Sequence, residues 1–520
     1  MNRSLKRIIL ILTFLTVLIA DVITTVSVSK NLLDDDTSGE MLLSKCLYDE
    51  KSLICSDWIY ATEVRVANQL VFAPLFGIFS DWASVRITGT MIIQAILLLS
   101  LIFMLKAGGL HTDSILLGMT QLLLPYCVAY GRISLYHCYY SLYISAAFFI
   151  TGLCFQVLDE KHTAVPTVIL LFLCMIVSLN GLRMVFICIL PLCILFFRIF
   201  LRTKEKRIFL TAFFCGTASL AGLLLYAFAI SKLFRLETSR GINLSFKGFS
   251  EVYVVIFSIL RQFGYRSGIA HNSLLWLMSL LGIGIAIYAV SLSGKAFFFG
   301  RSQKKQLLKA VLFVQLALTS ATFLFYQLPY NSRYDYSRYL VPASVWIIPL
   351  LCAEYEEMKT TFPKLCFYTV MIGFSVNSIM NLCFFQNPGH FSQEYDGLSY
   401  TSTESISRFE NAAAFITNEG YEKGYAFIDN NSLSEYMDGF PIIGITYRDG
   451  KLSYLDWLTR KSLRSSPADR VFLIAGRDDA ATFLGVTGPE NSELVYNEND
   501  LLFIYRLTDP ESFRSDLDNE

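Results

Sequence analysis

Three adjacent aspartates, Asp34, Asp35 and Asp36, follow an apolar run that starts at Ile8 and fades near Val28. Adjacent carboxylates repel one another and are costly to desolvate. Beside an apolar segment they are tolerated only where water, a cation or basic groups compensate their charge. Which of these is present decides what the stretch can do.

Basic residues occur in three other segments. Arg183 lies in SLNGLRM, Arg333 and Arg338 lie in YNSRYDYSRYLVP, and Arg132 and His137 lie in YGRISLYHCYY. Each arginine alone is typical of a side chain that snorkels to the membrane interface, and acidic residues at a helix start complement the helix dipole. Together they indicate a site that handles a phosphate-bearing substrate at lipid-headgroup depth.

The composition is that of a polytopic membrane protein. Of 520 residues, 54% are hydrophobic and only 17% are charged, and the mean hydropathy is +0.48, which is too apolar for a soluble chain of this length. The 43 basic and 43 acidic residues cancel. Global charge therefore gives no reason to expect nucleic-acid binding.

The chain contains eleven apolar stretches that approach the ~20 residues that cross a bilayer as a helix. We predict spans over 8–28, 87–106, 114–130, 142–157, 164–180, 184–201, 208–230, 272–293, 308–327, 339–353 and 365–385. Short basic loops before the first, seventh and ninth spans place the N-terminus in the cytoplasm. An alternative is that the first run is a cleaved signal peptide, but it is long and its small-residue cleavage site is poor.

The predicted organisation has two parts, one in the plasma membrane and one outside it. Residues 1–385 form the membrane domain, with a long first outer loop over 29–86, and residues 386–520 form an extracytoplasmic α/β domain. In that domain we predict four strands and two helices, over 404–418 and 453–464. We expect it to support the fold or recognise an acceptor.

The first outer loop is predicted to lie against the membrane surface. Thr37 could cap a short helix that contains Glu40, and the run NQLVFAPLFGIF reads as an interfacial helix. Cys46 and Cys55 lie in the same loop and could form a disulfide on an oxidising side of the membrane. The other cysteines lie mostly in apolar runs, where we expect them to pack as core residues.

These features together resemble the GT-C superfamily of membrane glycosyltransferases, which includes the protein O-mannosyltransferases, the aminoarabinose transferase and the oligosaccharyltransferases. The matching features are an acidic motif after the first span, a long first outer loop, ten or more spans, the RYLVP stretch before a late span, and an outer C-terminal domain. The first loop also looks like that of uncharacterised bacterial membrane proteins of this type.

The resemblance implies inverting transfer of a sugar from a polyprenyl-phosphate carrier to a glycan, lipid or protein acceptor at the outer face. One of Asp34, Asp35 and Asp36 would deprotonate the acceptor hydroxyl. Alternatively, Asp34 and Asp36 would hold a divalent cation, Mg or Mn, as a cofactor. In the family pattern Glu follows Asp directly, whereas here the next acid is Glu40, which is therefore also a candidate base.

Arginines would bind the lipid phosphate and stabilise the leaving group in this interpretation. Arg338, Arg183 and Arg333 are the candidates, because a forked guanidinium suits phosphate oxygens. Glu63 and His137 are further candidates for the catalytic site.

Two other functions stay open. The protein could be a transporter or flippase for a lipid-linked saccharide, although no internal repeat is visible and Asp21 is the exception to a lack of carboxylates within spans. It could also be a non-catalytic assembly protein of the cell envelope. The sugar and the acceptor are not encoded in a recognisable motif.

Overall fold

The structure is a computed structural model, and part of the chain is described by it. The described residues are 3–31, 33, 35–60, 67–159, 164–233, 249–265, 273–300, 304–325, 337–358, 361–386, 403–427, 430–448, 451–455, 459–487, 491–500 and 502–518. Asp34, Glu63 and Arg333, three of the candidate site residues, lie outside these ranges.

Helices dominate the described chain. The first group comprises α1 (Arg3–Asn31), α2 (Asp35–Glu50), α3 (Gln69–Leu75), α4 (Trp82–Ala107), α5 (Thr112–Leu122), α6 (Val128–Tyr130), α7 (Ser141–Leu158), α8 (Ala164–Ser178), α9 (Leu182–Met184), α10 (Leu190–Thr203), α11 (Lys206–Leu225) and α12 (Ser231–Leu233). The second group comprises α13 (Phe249–Gln262), α14 (Ser273–Phe299), α15 (Lys304–Phe325), α16 (Ser337–Ser344), α17 (Ile347–Glu357), α18 (Thr361–Gln386), α19 (Thr403–Asn418), α20 (Asn430–Tyr436), α21 (Lys461–Ser465), α22 (Arg477–Thr487) and α23 (Pro510–Asp518). Short π-helices occupy Gly131–Tyr136, Val185–Ile189 and Tyr226–Ile230.

Eight helices in the described part of the chain are long and apolar enough to cross a membrane. They are Ser4–Ser29, Trp82–Ala107, Ser141–Leu158, Leu182–Thr203, Lys206–Ile230, Trp276–Phe299, Lys304–Leu324 and Lys364–Cys383. Large apolar side chains along α1 are exposed, for example Leu12 at 58% and Ile19 at 61%. Such a surface needs lipid around it, so the chain is an integral membrane protein.

Three of the eleven predicted spans differ from single long helices. The stretch at 164–180 is a helix of 15 residues, α8. The stretch at 114–130 breaks after α5, at Pro125, where a proline cannot donate a ladder hydrogen bond. The stretch at 339–353 is divided between α16 and α17. Apolar content alone indicated three spans here, whereas local backbone constraints interrupt two of them.

Side-chain amides compensate the break near Pro125. Asn381 Nδ2 donates to the Pro125 carbonyl at 2.8 Å, and Asn377 Nδ2 donates to the Tyr126 carbonyl at 2.7 Å. Within a bilayer, backbone carbonyls released from a helix must find partners inside the protein. These two asparagines on α18 make the interruption tolerable.

The chain divides into two compact units. The first unit contains residues 1–28, 90–230 and 240–398, and the second contains 29–89, 231–239 and 399–520. The sequence prediction assigned the first outer loop to the membrane domain, whereas the structure groups residues 29–89 with the C-terminal region. The reason is a set of specific polar contacts, described below, between the loop and the C-terminal residues.

The C-terminal region is an α/β domain, as predicted. Its strands are β2 (Lys423–Ala426), β3 (Ile442–Arg448), β4 (Lys451–Tyr454), β6 (Val471–Gly476), β7 (Ser492–Glu498) and β8 (Leu502–Leu507), while β1 (Trp58–Ile59) and β5 (Thr459–Arg460) form a separate pair. The six-stranded sheet has the order β4-β3-β2-β6-β8-β7, and the neighbours of β2 are both parallel to it.

Both faces of this sheet are buried, because successive residues on the central strands point to opposite sides. Tyr425 and Leu473 belong to one core cluster, and Ala426 and Phe472 belong to the other. Gly424 is required where Phe472 packs, because a Cβ there would lie 2.2 Å from the ring.

One predicted helix in this domain is wrong. Residues 453–464 were expected to form an amphipathic helix, but they contain the end of β4, the short β5 and part of α21. The strand β4 pairs with β3 in an antiparallel register, Arg448 opposite Lys451. The intervening dipeptide is Asp449-Gly450, which is a strong hairpin-turn signal.

Candidate active site

The acidic stretch starts a helix that begins earlier than predicted. Helix α2 begins at Asp35, with Asp35 and Asp36 in its first turn, so Thr37 lies inside the helix and is not its cap. Carboxylates in a first turn complement the positive end of the helix dipole. The backbone therefore becomes helical at the aspartates themselves.

Asp35 has a structural role at the start of another helix. Its Oδ1 accepts hydrogen bonds from the backbone N–H of Asn431 and of Ser432, both at 3.0 Å, and from the Ser432 hydroxyl at 3.2 Å. The Asp35 carbonyl accepts from Asn431 Nδ2 at 3.3 Å. A carboxylate from α2 thus satisfies N–H groups that α20 cannot pair internally.

Asp36 and Glu40 lie one helical turn apart on the same face of α2. Glu40 is only 9% exposed, and its Oε2 accepts a 2.7 Å hydrogen bond from Asn68 Nδ2. Asp36 is half-buried. Of these two carboxylates, Asp36 is the more accessible to a substrate, and Glu40 is oriented by the asparagine.

A buried ion pair fixes the backbone of this first turn. Arg86 Nε and Nη2 each lie 2.5 Å from an oxygen of Glu435, and the two side chains are only 3% and 5% exposed. Arg86 Nη2 also donates to the carbonyl of Thr37 at 3.3 Å. The residue that follows Asp36 is therefore tied to the same guanidinium that holds Glu435.

A second set of contacts fixes the other end of the loop. The strands β1 and β5 pair antiparallel, and the Asp57 carbonyl accepts from the Lys461 N–H at 2.8 Å. Asp57 Oδ1 accepts from the Ser462 N–H at 2.9 Å. Cys46 and Cys55 are joined as a disulfide, which ties the end of α2 to the segment before β1.

Sequence reasoning missed Arg86, Glu435, Asn68 and Asp57. Arg86 was placed at the end of the first outer loop, and its partner Glu435 lies too far along the chain for any periodicity to reveal it. A cation inside VRITG, at the start of an apolar helix, was the one visible signal.

Two of the three arginine candidates, Arg338 and Arg183, are described by the structure and lie in the first unit. Arg338 is in the first turn of α16, is exposed, and donates from Nη2 to the Tyr339 hydroxyl at 2.6 Å. Arg183 is in α9, directly before the π-helix Val185–Ile189, with its guanidinium 5.8 Å from the centre of the Tyr140 ring. An arginine side chain can form a bidentate, charge-assisted pair of hydrogen bonds with phosphate oxygens.

Arg132 and His137 belong to an unusual backbone segment of the same unit. Arg132 is within the π-helix Gly131–Tyr136, and His137, which is 3% exposed, follows it directly. π-Helices occur frequently at functional sites.

The structure brings some candidates together and separates others by unit. Asp35, Asp36 and Glu40 belong to the second unit, and Arg132, His137, Arg183 and Arg338 belong to the first. The convergence of the carboxylates with the arginines stays a prediction.

A divalent-cation site at Asp34 and Asp36 also stays a prediction, because Asp34 is outside the described residues. Within the described ranges, one group of three metal-ligating side chains has its ligand atoms close together, namely Cys46, Glu50 and Cys55. Two of its members are joined as a disulfide, and Arg460 Nη2 lies 3.8 Å from the Glu50 carboxylate. A guanidinium in that position disfavours a cation.

Comparisons with known proteins give a similarity in structure and none in sequence. No family model matches the chain, and no curated protein matches its sequence. Among solved structures, the chain is similar to the crystal structure of ArnT from Cupriavidus metallidurans in the apo state, with 11% identity, a TM-score of 0.49, and 95% of this chain and 97% of that chain covered. At this identity and TM-score, activity must be argued from the chain's own residues.

Proposed function

We propose that the protein is a membrane glycosyltransferase that moves a sugar from a polyprenyl-phosphate donor to an acceptor hydroxyl at the outer face of the membrane. The observation that carries the proposal is the first turn of α2, directly after the first span. There Asp35 is engaged by α20, the Thr37 carbonyl is held by Arg86, and the half-buried Asp36 lies between them.

Such an arrangement suits a general base. A base must be held in place by its surroundings to within a fraction of an ångström. The contacts of Asp35 and Thr37 position the backbone on both sides of Asp36, and Glu40 lies one turn away as a second carboxylate. Loss of the acceptor proton to Asp36 would accompany attack on the sugar.

In the proposed step the acceptor oxygen forms a bond to the anomeric carbon while the bond from that carbon to the phosphate oxygen breaks. The hydroxyl proton passes to Asp36, and polyprenyl phosphate leaves with its negative charge. Arg338 and Arg183 are proposed to stabilise that charge. A divalent cation, if required, would be held by Asp34 and Asp36 and would supply further charge stabilisation.

The proposal is tested with purified protein in nanodiscs and a prenyl-phosphate donor that carries a labelled sugar. The wild type should transfer label to acceptors in a membrane extract, and Asp36→Asn should lower the rate by ~10²–10⁴ while the protein stays folded. The same assay with a divalent-cation chelator tests whether transfer requires a divalent cation. Equal rates for the wild type and Asp36→Asn would contradict the assignment of Asp36 as the base. Absence of transfer from every donor would contradict the proposal that the protein is a glycosyltransferase.

One observation favours a second candidate function, that of a transporter or flippase. Asp21 is a carboxylate inside the first span and is 1% exposed, and buried acids in spans often mark translocation paths. Movement of a labelled prenyl-linked sugar across a vesicle membrane, without loss of label from the lipid, would favour this candidate.

A further inference from the structure

Asp21 lies on the buried face of α1. The side chains at Asp21, Thr24, Thr25 and Val28 are each 1% exposed or less, whereas most of the remaining helix surface is exposed. Their spacing of three and four residues puts them on one stripe. The carboxyl group therefore points into the helix bundle, within an otherwise apolar span.

Neither carboxylate oxygen of Asp21 has a hydrogen-bond partner among the described residues. The carboxyl group is therefore buried without a salt bridge or a hydrogen bond to any described residue. An isolated carboxylate in a low-dielectric interior is very costly, so such a group requires a positive charge or a proton from outside the protein.

The surroundings of Asp21 are rich in neutral oxygen and nitrogen atoms. Gln94 on α4 donates to the Thr25 hydroxyl at 3.1 Å, and Gln386 on α18 donates to the Thr24 hydroxyl at 2.9 Å. The phenols of Tyr130 and Tyr136, at the two ends of the π-helix segment, lie within electrostatic reach of Asp21. These four side chains are amides and phenols, and none of them is cationic.

We propose that Asp21 and the hydroxyl groups beside it form an exchangeable site for one monovalent cation, Na⁺ or a proton taken from water. A single carboxylate with neutral oxygen donors provides one negative charge, which suits a monovalent ion better than a divalent one, since divalent sites usually combine several carboxylates. The π-helix that carries Tyr136 is a second feature typical of functional sites. This inference does not rest on the glycosyltransferase proposal.

The test uses the full-length protein in nanodiscs, with unfolding followed by tryptophan fluorescence. The melting temperature is measured in NaCl against choline chloride at equal ionic strength, and again on acidification from about pH 8 to about pH 5. Asp21→Asn keeps the size of the side chain and removes its charge, and Asp21→Glu keeps the charge. Asp159→Asn is the matched control, because Asp159 is 62% exposed and pairs with Lys304.

A sodium site predicts that saturating NaCl raises the melting temperature by about 2–4 °C in the wild type, Asp21→Glu and Asp159→Asn, and not in Asp21→Asn. A proton site predicts the same pattern for acidification alone. Other ionisable groups, including His137 beside Tyr136, contribute to any pH response, so only the part of the response that Asp21→Asn removes is counted. If Asp21→Asn responds like the wild type to both treatments, Asp21 is a permanently neutral packing residue and the proposal is wrong.

Discussion

Arg86 holds Glu435, 349 residues further along the chain, by two hydrogen bonds of 2.5 Å in a site that excludes water almost completely. The pair joins the residues that follow the first span to helix α20 of the C-terminal domain. Its third contact, to the Thr37 carbonyl, connects the same guanidinium to the acidic turn. Arg86 therefore connects the turn that contains the candidate base to the C-terminal domain.

The first prediction concerns the energy of this pair. Glu435→Gln or Arg86→Met alone should destabilise the second unit by about 3–5 kcal/mol, because the remaining charge is left buried. The double variant Arg86→Met with Glu435→Leu should cost less than the sum of the single changes. The free energy of unfolding is measured by chemical denaturation, with limited proteolysis as the probe of unfolding.

A surface pair in the same unit is the matched control. Arg506 and Glu493 form an ion pair with both side chains about half exposed, at 50% and 55%. Removal of that pair should cost no more than about 1 kcal/mol. Equal losses at the two sites would mean that burial does not determine the contribution of Arg86.

The second prediction separates the neighbouring aspartates. Asp35→Ala should destabilise the protein by about 1–3 kcal/mol, because two backbone N–H groups at the start of α20 lose their acceptor. Asp36→Asn should cost less, about 1 kcal/mol at most, because it keeps the size of the side chain and removes only the charge near the helix start. Thermal unfolding of the two variants in one buffer makes the comparison, and an Asp35→Ala variant as stable as the wild type would remove Asp35 from its structural role.

The third prediction concerns the phosphate of the donor. Arg338→Lys should raise the KM for a prenyl-phosphate donor and slow its turnover, because an ammonium cannot form the forked pair of hydrogen bonds. Arg202→Lys is the matched control, since Arg202 binds the Gly300 carbonyl at 3.0 Å and belongs to the predicted cytoplasmic side. Unchanged kinetics in Arg338→Lys would assign Arg338 to interfacial anchoring.

The fourth prediction concerns the disulfide and the side of the membrane. In intact cells, Cys46 and Cys55 should resist alkylation until a reductant is added, because disulfides persist on oxidising faces. Replacing both by serine should cost about 2–3 kcal/mol for a loop of this length. Ready alkylation without a reductant would contradict the bond and the predicted outer location of the loop.

Orientation can be tested in the same disulfide-free background. A cysteine introduced at Ser466 should react with an impermeant thiol reagent in intact cells. Labelling only after lysis would reverse the predicted topology.

The fifth prediction is a pH dependence from Lys423. Burial first, and the charge of Arg514 second, lower the pKa of Lys423 from 10.5 to about 8, and its Nζ donates to the Ser466 carbonyl at 3.0 Å. Between these two pKa values the unfolded state binds more protons, so the free energy of unfolding should rise with pH from about 8 upward. Below about pH 8 both states are protonated and the slope vanishes.

Melting temperatures of the wild type and Lys423→Met measure this effect. The rise between about pH 8 and pH 9.5 should be present in the wild type and absent in the variant. Higher pH is less informative, because burial raises the pKa of Tyr425 to about 12, and the unfolded state then loses its tyrosine protons first. A slope retained in Lys423→Met would show that other groups produce it.

Most of the membrane spans could be predicted from hydropathy, because a span is defined by its own length and apolarity. The breaks near Pro125 and between α16 and α17 were not, since their compensation depends on Asn377, Asn381 and other side chains distant in sequence. The strands of the C-terminal domain were visible in short β-branched runs. The false helix over 453–464 arose because the Asp449-Gly450 turn signal was not weighed against helical periodicity.

The candidate site could be predicted from the sequence only in part, for a similar reason. The position of three aspartates after the first span identifies the region, but their division of roles depends on which one meets the start of α20. No local pattern connects Asp35 to Asn431 or Arg86 to Glu435. Apolar faces of helices and strands leave a periodic pattern in the sequence, whereas polar contacts between distant segments leave none.

The link between Arg86 and Glu435 sets a delay in the biosynthesis of the protein. Ribosomes add about 5–20 residues per second, so Glu435 follows Arg86 by roughly 17–70 s. During that interval the first loop has already left the ribosome, with a guanidinium that must stay hydrated and a helix start whose partner does not yet exist. The nascent loop must therefore stay hydrated or bound to a chaperone until the last quarter of the chain is synthesised.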